Sequence, residues 1–437
     1  MAMNIDMTIP GKASSPNRNA HQAPPSGDLR RSLINTWRNI KFLSRPLRIF
    51  LFDVVLIEGK EKYSGRRIKT LYIGETKPFS NKWGKLYTKF EAMLKVSTFQ
   101  FIMDSIYSEY TKVSRAKNIS GLDIHRVSQK YESQADMVFI DTESLFALPL
   151  KRSHYIVIPQ LVSPRLKLAD RWEAVLDSFS HKLNKKISRV LKYGYQFSPA
   201  RSLHQFNYFY HSMYVPYTRK RFGKTATILS YDELKRFFDQ GELFFLMRND
   251  QVLLGTLKSF EQGCMLNICK AATGNSQPGM FKGASEAMDY YSILSAFEKG
   301  YRVVDFLWSR PFLNDGGLRY KLKWGAGIDK AHWPMTDIYF KPLRLNVGVK
   351  SFLAGNPFIT KNREDFRGRV LLNTEASEMD IRNCLKYYQA KGLKGIDIFC
   401  AEGIRDGIGK KWEDRASGIN IYDISASSHP HLDFCRR

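Results

Sequence analysis

Cysteine is scarce in this sequence, and its few copies are not arranged as a metal site. Five cysteines occur in 437 residues, with no CxxC motif and no cysteine–histidine cluster at zinc spacing. Long apolar runs are missing too, since none approaches the ~18 residues of a membrane-spanning helix. The first 27 residues are polar and lack the apolar centre of a secretory signal. These absences predict a cytoplasmic chain with reduced thiols and imply no metal.

Acidic residues are also in short supply. Asp and Glu number 42 against 68 Lys and Arg, giving a net charge of +26. This excludes an acidic solvating chain and favours an anionic partner: nucleic acid, anionic lipid or a phosphorylated cofactor. Between Asp177 and Asp232 there is no acid, and basic residues with interleaved aromatics run from Lys182 to Lys224. This basic stretch would suit tRNA or an anionic membrane surface, while a solvated helix face is the plainer interpretation.

The rest of the composition is that of a folded α/β chain, with 43% hydrophobic and 13% aromatic residues. Residues 1–28, rich in Ser, Asn, Pro and Gly, are predicted to be disordered. Short apolar runs and a helical spacing over 84–115 predict an α/β unit at 29–165. A second unit is predicted at 166–340, and a further α/β segment at 341–437.

The second unit begins with two predicted helices, at 170–193 and at 203–214, the latter ending before Pro216. After them the pattern predicts, in order, a hairpin at 243–257, a strand at 264–273, a glycine-bearing loop at 274–283, a helix at 284–299 and a strand at 303–308. Such a loop brings backbone N–H groups and a helix N-terminus to one place, which favours an anion. It fits neither the dinucleotide nor the P-loop motif, and an ordinary strand-to-helix connection is the alternative.

This order of elements resembles the core of the GNAT acyltransferases. The segment Tyr320-Lys-Leu-Lys-Trp-Gly325 resembles the bacterial branch that includes polysaccharide-linked acetyltransferases and the Fem-type peptidoglycan aminoacyl transferases. The similarity covers about 170–340 and, loosely, 29–169. It implies an α/β fold with a GNAT-like mixed sheet flanked by helices, tandem GNAT-like halves as one interpretation, and an additional C-terminal α/β segment.

The resemblance implies an N-acyltransferase that moves an acyl group from acetyl-CoA or another acyl-CoA to an amine, in a sugar or cell-envelope precursor. The loop lacks the Q/R-x-x-G-x-G/A pattern usual in GNAT enzymes. An aminoacyl-tRNA donor, as in the Fem-type relatives, is therefore one alternative. A nucleic-acid or membrane-surface binding protein on an inactive GNAT scaffold is another. The expected location is the cytoplasm, or the inner face of the membrane.

By the same resemblance, the donor phosphates lie on the residues around the glycine-bearing loop. These residues are Ala272, Thr273, Gly274, Gly279, Lys282, Gly283 and Ala284. The backbone N–H groups at the end of the preceding strand would polarise the donor carbonyl.

Five polar side chains complete the predicted site. Asp305 is the candidate base and Tyr320 the candidate general acid, each with a structural role as the alternative. Arg310 and Lys321 are candidate binders of an anionic substrate, and Asp315 is a further substrate-binding candidate.

Overall fold

The computed structural model describes the chain in ten segments. They are residues 51–74, 89–142, 146–151, 153–223, 228–261, 263–273, 282–330, 336–363, 365–405 and 418–435. The chain divides before Leu51 into two units, and the described residues all belong to the second, Leu51–Arg437. The predicted disordered tail at 1–28 lies outside the described residues.

The first sheet has six strands. They are β1 (Leu51–Glu61), β2 (Arg67–Gly74), β3 (Tyr107–Ser120), β4 (Met137–Thr142), β5 (Ile156–Pro159) and β13 (Asp337–Pro342), in the order β3-β1-β2-β4-β13-β5. Strands β2 and β4 are parallel, and the other neighbours are antiparallel. Nearly continuous buried runs explain the central strands, and Tyr72, Phe139 and Phe340 belong to one core that includes residues of a long helix, α1 (Lys89–Ile106).

The second sheet has seven strands. They are β6 (Val162–Lys167), β7 (Gln196–Ala200), β8 (Glu242–Arg248), β9 (Gln251–Glu261), β10 (Cys264–Ala272), β11 (Val303–Asp305) and β12 (Gly327–Lys330), in the order β12-β6-β11-β10-β9-β8-β7. Strands β10 and β11 are parallel, and the other neighbours are antiparallel. The predicted hairpin is confirmed: Asn249 and Asp250 both have positive φ, as a two-residue hairpin turn of this twist requires.

The two sheets share one pairing pattern and exchange one strand. From β3 in the first sheet and from β8 in the second, the successive pairings are antiparallel, antiparallel, parallel, antiparallel and antiparallel. In the first sheet β13 lies between β4 and β5, although it follows β12 in the chain. In the second sheet β6 lies between β11 and β12, although it follows β5. The predicted α/β fold, with mixed sheets flanked by helices, is confirmed, and the shared pattern agrees with tandem halves. The residue boundaries given above for the units stay predictions.

Helices flank these sheets. They are α1, α2 (Ile124–Glu132), α3 (Leu148–Lys151), α4 (Trp172–Ser178), α5 (His181–Val190), α6 (Leu203–Tyr208), α7 (Val215–Phe222), α8 (Tyr231–Gln240), α9 (Ala284–Glu298), α10 (Gly316–Leu322), α11 (Val347–Gly355), α12 (Glu378–Tyr388) and α13 (Pro430–Phe434). None of these described helices has the length and apolar character needed to span a membrane.

Four boundaries differ from the sequence prediction. The helix predicted to reach residue 115 ends at Ile106, because Tyr107–Ser120 instead pairs with β1 as an edge strand. The helix predicted to stop before Pro216 continues through a π-helical segment, Phe209–Tyr214, into α7, which accommodates the missing proline N–H in its first turn. The predicted helix 170–193 breaks between α4 and α5, where the backbone N–H of Ser180 bonds Lys323. The strand predicted at 303–308 ends at Asp305.

The third sheet has four strands. They are β14 (Phe358–Asn362), β15 (Asp365–Leu372), β16 (Leu393–Cys400) and β17 (Ile419–Asp423), joined in that order. Strands β15, β16 and β17 are parallel, and α12 connects the first two after a capping box between Ser377 and Asp380. Phe358 and Phe399 pack into the core of the first sheet. The predicted C-terminal α/β segment is therefore present and shares a core with the first sheet.

Candidate active site

The parallel pair in the second sheet separates after three residues. Cys264–Leu266 of β10 pairs with Val303–Asp305, whereas the six residues of β10 from Asn267 to Ala272 have no described strand on that side. After β11 the chain turns at Leu307, whose φ of +54° is unusual for a residue with a side chain. The structure therefore has a split between the second half of β10 and the segment 306–308.

A β-bulge determines which side chains of β10 lie on the same face of the second sheet. Asn267 lies opposite Lys258 of β9, and Lys270 lies opposite Thr256, with a register shift after Asn267. The extra residue brings Asn267 and Lys270, three positions apart, to the same face of the sheet. This face is covered by α9, because Lys270 reaches Ser285 and Asp289 on that helix.

Four polar side chains meet beside the split, and we call them the Asp289 cluster: Lys270, Ser285, Asp289 and Tyr320. Lys270 Nζ donates to Asp289 Oδ2 at 2.7 Å and to Ser285 Oγ at 2.8 Å. The Tyr320 hydroxyl donates to the same Asp289 oxygen at 2.6 Å and lies 3.2 Å from Ser285 Oγ. The Asp289 carboxylate is 5% exposed, so these charge-assisted bonds act in a water-poor environment.

The cluster fixes the protonation state of Tyr320. Burial, and then the charge of Asp289, raise the pKa of the Tyr320 hydroxyl well above its ordinary value, so the phenol stays protonated. Because its proton is directed at Asp289, the oxygen presents its lone pairs elsewhere. The pair can therefore take a proton at Tyr320 while passing one to Asp289, or return it in the reverse direction.

Lys321 follows Tyr320 on α10 and lies at the other side of the split. Its Nζ donates to the carbonyl oxygens of Leu307 (3.1 Å) and Trp308 (2.7 Å). Burial lowers the pKa of Lys321 to about 8. Lys321 thus holds the segment that turns away from β10 and brings a cation close to the split.

The start of α9 is fixed by α5 and the residues after it. Gly283 has φ +78°, and a Cβ there would lie 2.3 Å from Val190 Cγ2 on α5. The Tyr195 hydroxyl donates to the Lys282 carbonyl at 2.9 Å, and Lys186 pairs with Glu286 at 2.6 Å. The first N–H groups of α9 are thereby held in place next to the end of β10.

The predicted donor-binding residues divide into three groups. Ala272 ends β10 and Thr273 follows it, with the Thr273 N–H bonding the Leu253 carbonyl at 3.0 Å. Lys282, Gly283 and Ala284 form the entry to α9, with Lys282 exposed and Ala284 buried. Gly274 and Gly279 lie outside the described residues.

Asp305 lies at the base of the split and is 2% exposed. Its carboxylate accepts hydrogen bonds from Ser163 Oγ at 2.9 Å, from Arg165 Nε at 2.8 Å and from the Leu307 N–H at 2.7 Å. These contacts join β11 to β6 and hold the turn at Leu307. They support a positioning role, and catalysis by Asp305 stays a prediction.

Arg310 and Asp315 lie in other surroundings. Arg310 donates to Thr98 Oγ1 at 3.1 Å and stacks over Phe101 of α1, and burial lowers its pKa to about 10. Asp315 caps α10 by accepting from the Leu318 N–H at 2.7 Å. The structure brings together the end of β10, the start of α9, Tyr320 and Lys321. Substrate binding by Arg310 and Asp315 stays a prediction.

Sequence reasoning did not find Asp289, Ser285, Lys270 or Lys258 as site residues. Two signals were present: polar residues four apart, at 285 and 289, on one helix, and single lysines inside largely apolar strands. Within the described ranges, no three His, Cys, Asp or Glu side chains are grouped as a metal site.

The fold is α/β, with mixed sheets flanked by helices and a split parallel pair in the second sheet. No protein-family profile and no curated protein sequence match the chain. Among solved structures, it is similar to FemX, with 15% identity and a TM-score of 0.32 over 51% of this chain and 79% of that one. It is also similar to L-PGS from Bacillus licheniformis, with 13% identity and a TM-score of 0.30 over 53% of this chain and 74% of that one. A third similar structure is a GCN5-related N-acetyltransferase from Sphaerobacter thermophilus, with 11% identity and a TM-score of 0.29 over 53% of this chain and 73% of that one. All three likenesses are distant.

Proposed function

We propose that this chain is an N-acyltransferase that moves an acyl group from a CoA-type thioester to an amine. The observation that carries the proposal is the Asp289 cluster beside the split between β10 and β11. Beyond Leu266, β10 has an edge that a thioester carbonyl can approach, and backbone N–H groups there would stabilise its developing charge. The N-terminus of α9 next to it suits the donor phosphates.

The proposed reaction balances as a direct transfer. The amine nitrogen attacks the thioester carbonyl, the new C–N bond forms, and the C–S bond breaks. The amine proton passes to the Tyr320 oxygen as the phenol gives its own proton to Asp289, 2.6 Å away. The proton then returns through Tyr320 to the leaving thiolate. Lys270 keeps Asp289 in place, and no covalent enzyme intermediate is needed.

The test is donor binding, followed by turnover. A thioester that binds only the folded protein at about 100 times its dissociation constant adds ~2.7 kcal/mol of stability. We expect acetyl-CoA, or a longer acyl-CoA, to raise the melting temperature, and release of free thiol to require an added amine. Absence of any shift across a series of acyl-CoA thioesters would sink the proposal.

The exposed cations of α5 favour a second candidate, an aminoacyl-tRNA donor. Lys182, Lys185 and Arg189 are exposed on α5, which packs against the start of α9. A polyanion joined to the acyl group would therefore run along this helix. Stabilisation by tRNA that falls steeply with salt, without a response to acyl-CoA, would favour this candidate.

The third candidate is a binding protein without transfer activity. It would bind tRNA or anionic vesicles equally well with and without the Tyr320 hydroxyl.

For the transferase, we propose that the acceptor is an amine of a sugar or cell-envelope precursor, as the resemblance implies. Sedimentation with anionic vesicles tests whether the protein binds an anionic membrane surface, as work at the inner face of the membrane requires.

A further inference from the structure

Lys258 is a buried lysine in β9 that the transfer reaction above does not use. It is 1% exposed and lies on the face of the sheet that α9 covers. Its Nζ donates to the side-chain carbonyl of Asn267, its register partner at the bulge. Among the described residues, this is the one acceptor that its side chain bonds. With this one acceptor, a neutral amine buries one further N–H donor and no charge, whereas an ammonium buries two further N–H donors and a charge.

The charges around Lys258 do not compensate a buried cation. Asp289 on α9 favours the charged form, but that carboxylate already bonds Lys270, whose own charge opposes a second cation. On β8, the register partner Glu242 is bound by Lys299. Burial is the largest effect and lowers the pKa of Lys258 to about 7.

Among the described residues, the remaining titratable group that acts on the charge of Lys258 is Cys269, two residues beyond Asn267 on β10. Burial raises the pKa of its thiol to about 12, so it stays neutral and supplies no negative charge near neutral pH. Lys258 therefore has one formal counter-charge nearby, and it shares that charge with Lys270.

We propose that Lys258 is a positioning residue of the transfer site, neutral when the enzyme is active, which anchors Asn267 at the bulge and leaves Lys270 as the single cation on Asp289. The inference rests on the proposed transferase function. When Lys258 takes up a proton, a second buried cation stabilises the Asp289 carboxylate, which then accepts the proton from Tyr320 less readily. Protonation of Lys258 therefore slows transfer without touching the substrate.

The first experiment measures the charge of Lys258 without any substrate. Urea unfolding is followed from about pH 6 to about pH 10 for the wild-type protein, for Lys258→Met and Lys258→Gln, and for Lys235→Met as a control at a partly exposed lysine. An unfolded lysine has a pKa of about 10.4. Between the pKa of Lys258 in the folded protein and its pKa in the unfolded chain, the unfolded chain holds a proton that the native protein lacks. The free energy of unfolding therefore rises as the pH rises through this range, and falls as the pH falls.

We expect this rise in the wild-type protein and in Lys235→Met, approaching a tenfold change in the unfolding equilibrium constant per pH unit, relative to either Lys258 variant. Curves that run parallel for the wild type and both Lys258 variants would overturn the neutral lysine.

The second experiment measures kcat/KM for transfer against pH. We expect kcat/KM of the wild type to fall below about pH 7. Lys258→Met, which also loses the hydrogen bond to Asn267, should have a lower kcat/KM at higher pH but should lack this acid limb. A uniform loss in Lys258→Met at every pH, with the acid limb retained, would show a merely structural residue. If the wild-type protein transfers no acyl group, the proposed function fails, whereas the unfolding curves still decide whether Lys258 is neutral.

Discussion

At the scale of single residues, one carboxylate connects the elements around the split. Asp289 on α9 bonds both Lys270 of β10 and Tyr320 of α10 through the same oxygen. Neither neighbour has another buried carboxylate among its described hydrogen-bond partners. The chemistry and the local rigidity of the site therefore depend on the same few atoms.

Tyr320→Phe removes one hydroxyl and leaves the ring packing in place. We expect kcat to fall about 10²–10⁴-fold, because the proton relay is lost, while the affinity for the acyl donor is unchanged. Steady-state kinetics and donor titration measure the two effects. A kcat within a few-fold of the wild type would show that Tyr320 does not carry the proton.

Asp289→Asn leaves Lys270 without a charged partner. We expect the free energy of unfolding to fall by about 1.5–3 kcal/mol, which is the range for a hydrogen bond to a charged group. Urea denaturation measures this change. Asp239→Asn is the matched control, because Asp239 pairs with Lys235 at an exposed position and should cost less than about 1 kcal/mol. Equal losses in both variants would contradict the role given to Asp289.

The sequence predicted Tyr320 and Lys321 but not the residues that they meet. Tyr320 was found through its resemblance to a family segment. Asp289 lies 31 positions earlier on another helix, and no local pattern joins the two. Alternation likewise placed Asp305 in a strand, yet its partners, Ser163 and Arg165, lie about 140 residues away.

At the scale of elements, the entry to α9 depends on the absence of one Cβ. Gly283→Ala meets both a positive φ and a contact of 2.3 Å with Val190 on α5. We expect a loss of about 2–4 kcal/mol in unfolding free energy, together with weaker donor binding, since the first N–H groups of α9 shift.

The matched control is Gly300→Ala. Gly300 has nearly the same φ, +77°, but nothing lies within 4 Å of a Cβ there. The free energy of unfolding of Gly300→Ala should fall only by the cost of placing alanine at a positive φ, about 1 kcal/mol. Val190→Ala combined with Gly283→Ala should restore part of the difference, and thermal unfolding of the four proteins decides. Equal destabilisation of the two glycine variants would contradict a steric role for Val190.

The exposed cations of α5 give a prediction about partners. Lys185→Glu with Arg189→Glu should weaken binding of tRNA or another polyanion and reduce its salt dependence, because fewer counterions are released. Filter binding at several salt concentrations measures both quantities. The control is Lys235→Glu on α8, away from α5 in sequence, which should leave the salt slope unchanged. An unchanged slope in the α5 variant would assign the helix a solvated surface role.

Element boundaries were predictable where a local signal marks them. The hairpin turn, the glycine after α5 and the cap of α12 all follow from local chemistry. The end of α1 was not predictable, because the residues of β3 become a strand by pairing with β1, which precedes them by about 50 positions. Local spacing carries no information about such a partner.

At the scale of the whole molecule, the exchange of β6 and β13 makes the two sheets mutually dependent. Residues 1–160, produced alone, lack β13 and would leave β4 and β5 without the strand between them. We expect this fragment to be unfolded by itself, and to form a folded complex when co-expressed with residues 161–437. Circular dichroism and size-exclusion chromatography measure this. A folded 1–160 would contradict the dependence.

The fold class was predictable from the sequence, and the exchange was not. Patterns of strands and helices predict a mixed α/β chain, and tandem halves were one interpretation of the resemblance. Which strand fills the place next to β4 is decided by the shared core, where Phe340 of β13 packs on Phe139 at 4.6 Å. That contact joins residues about 200 positions apart, so no local sequence pattern predicts it.

The exchange of strands also means that β4 is synthesised long before its partner β13. At ~5–20 residues per second, β13 leaves the ribosome roughly 10 to 40 s after β4, with about 200 residues made in between. Throughout that interval β4 has an open edge, and Phe139 has no Phe340 to cover it. An unpaired edge beside bare apolar surface promotes aggregation. Slow synthesis therefore lengthens the period in which the open edge of β4 can pair with another chain.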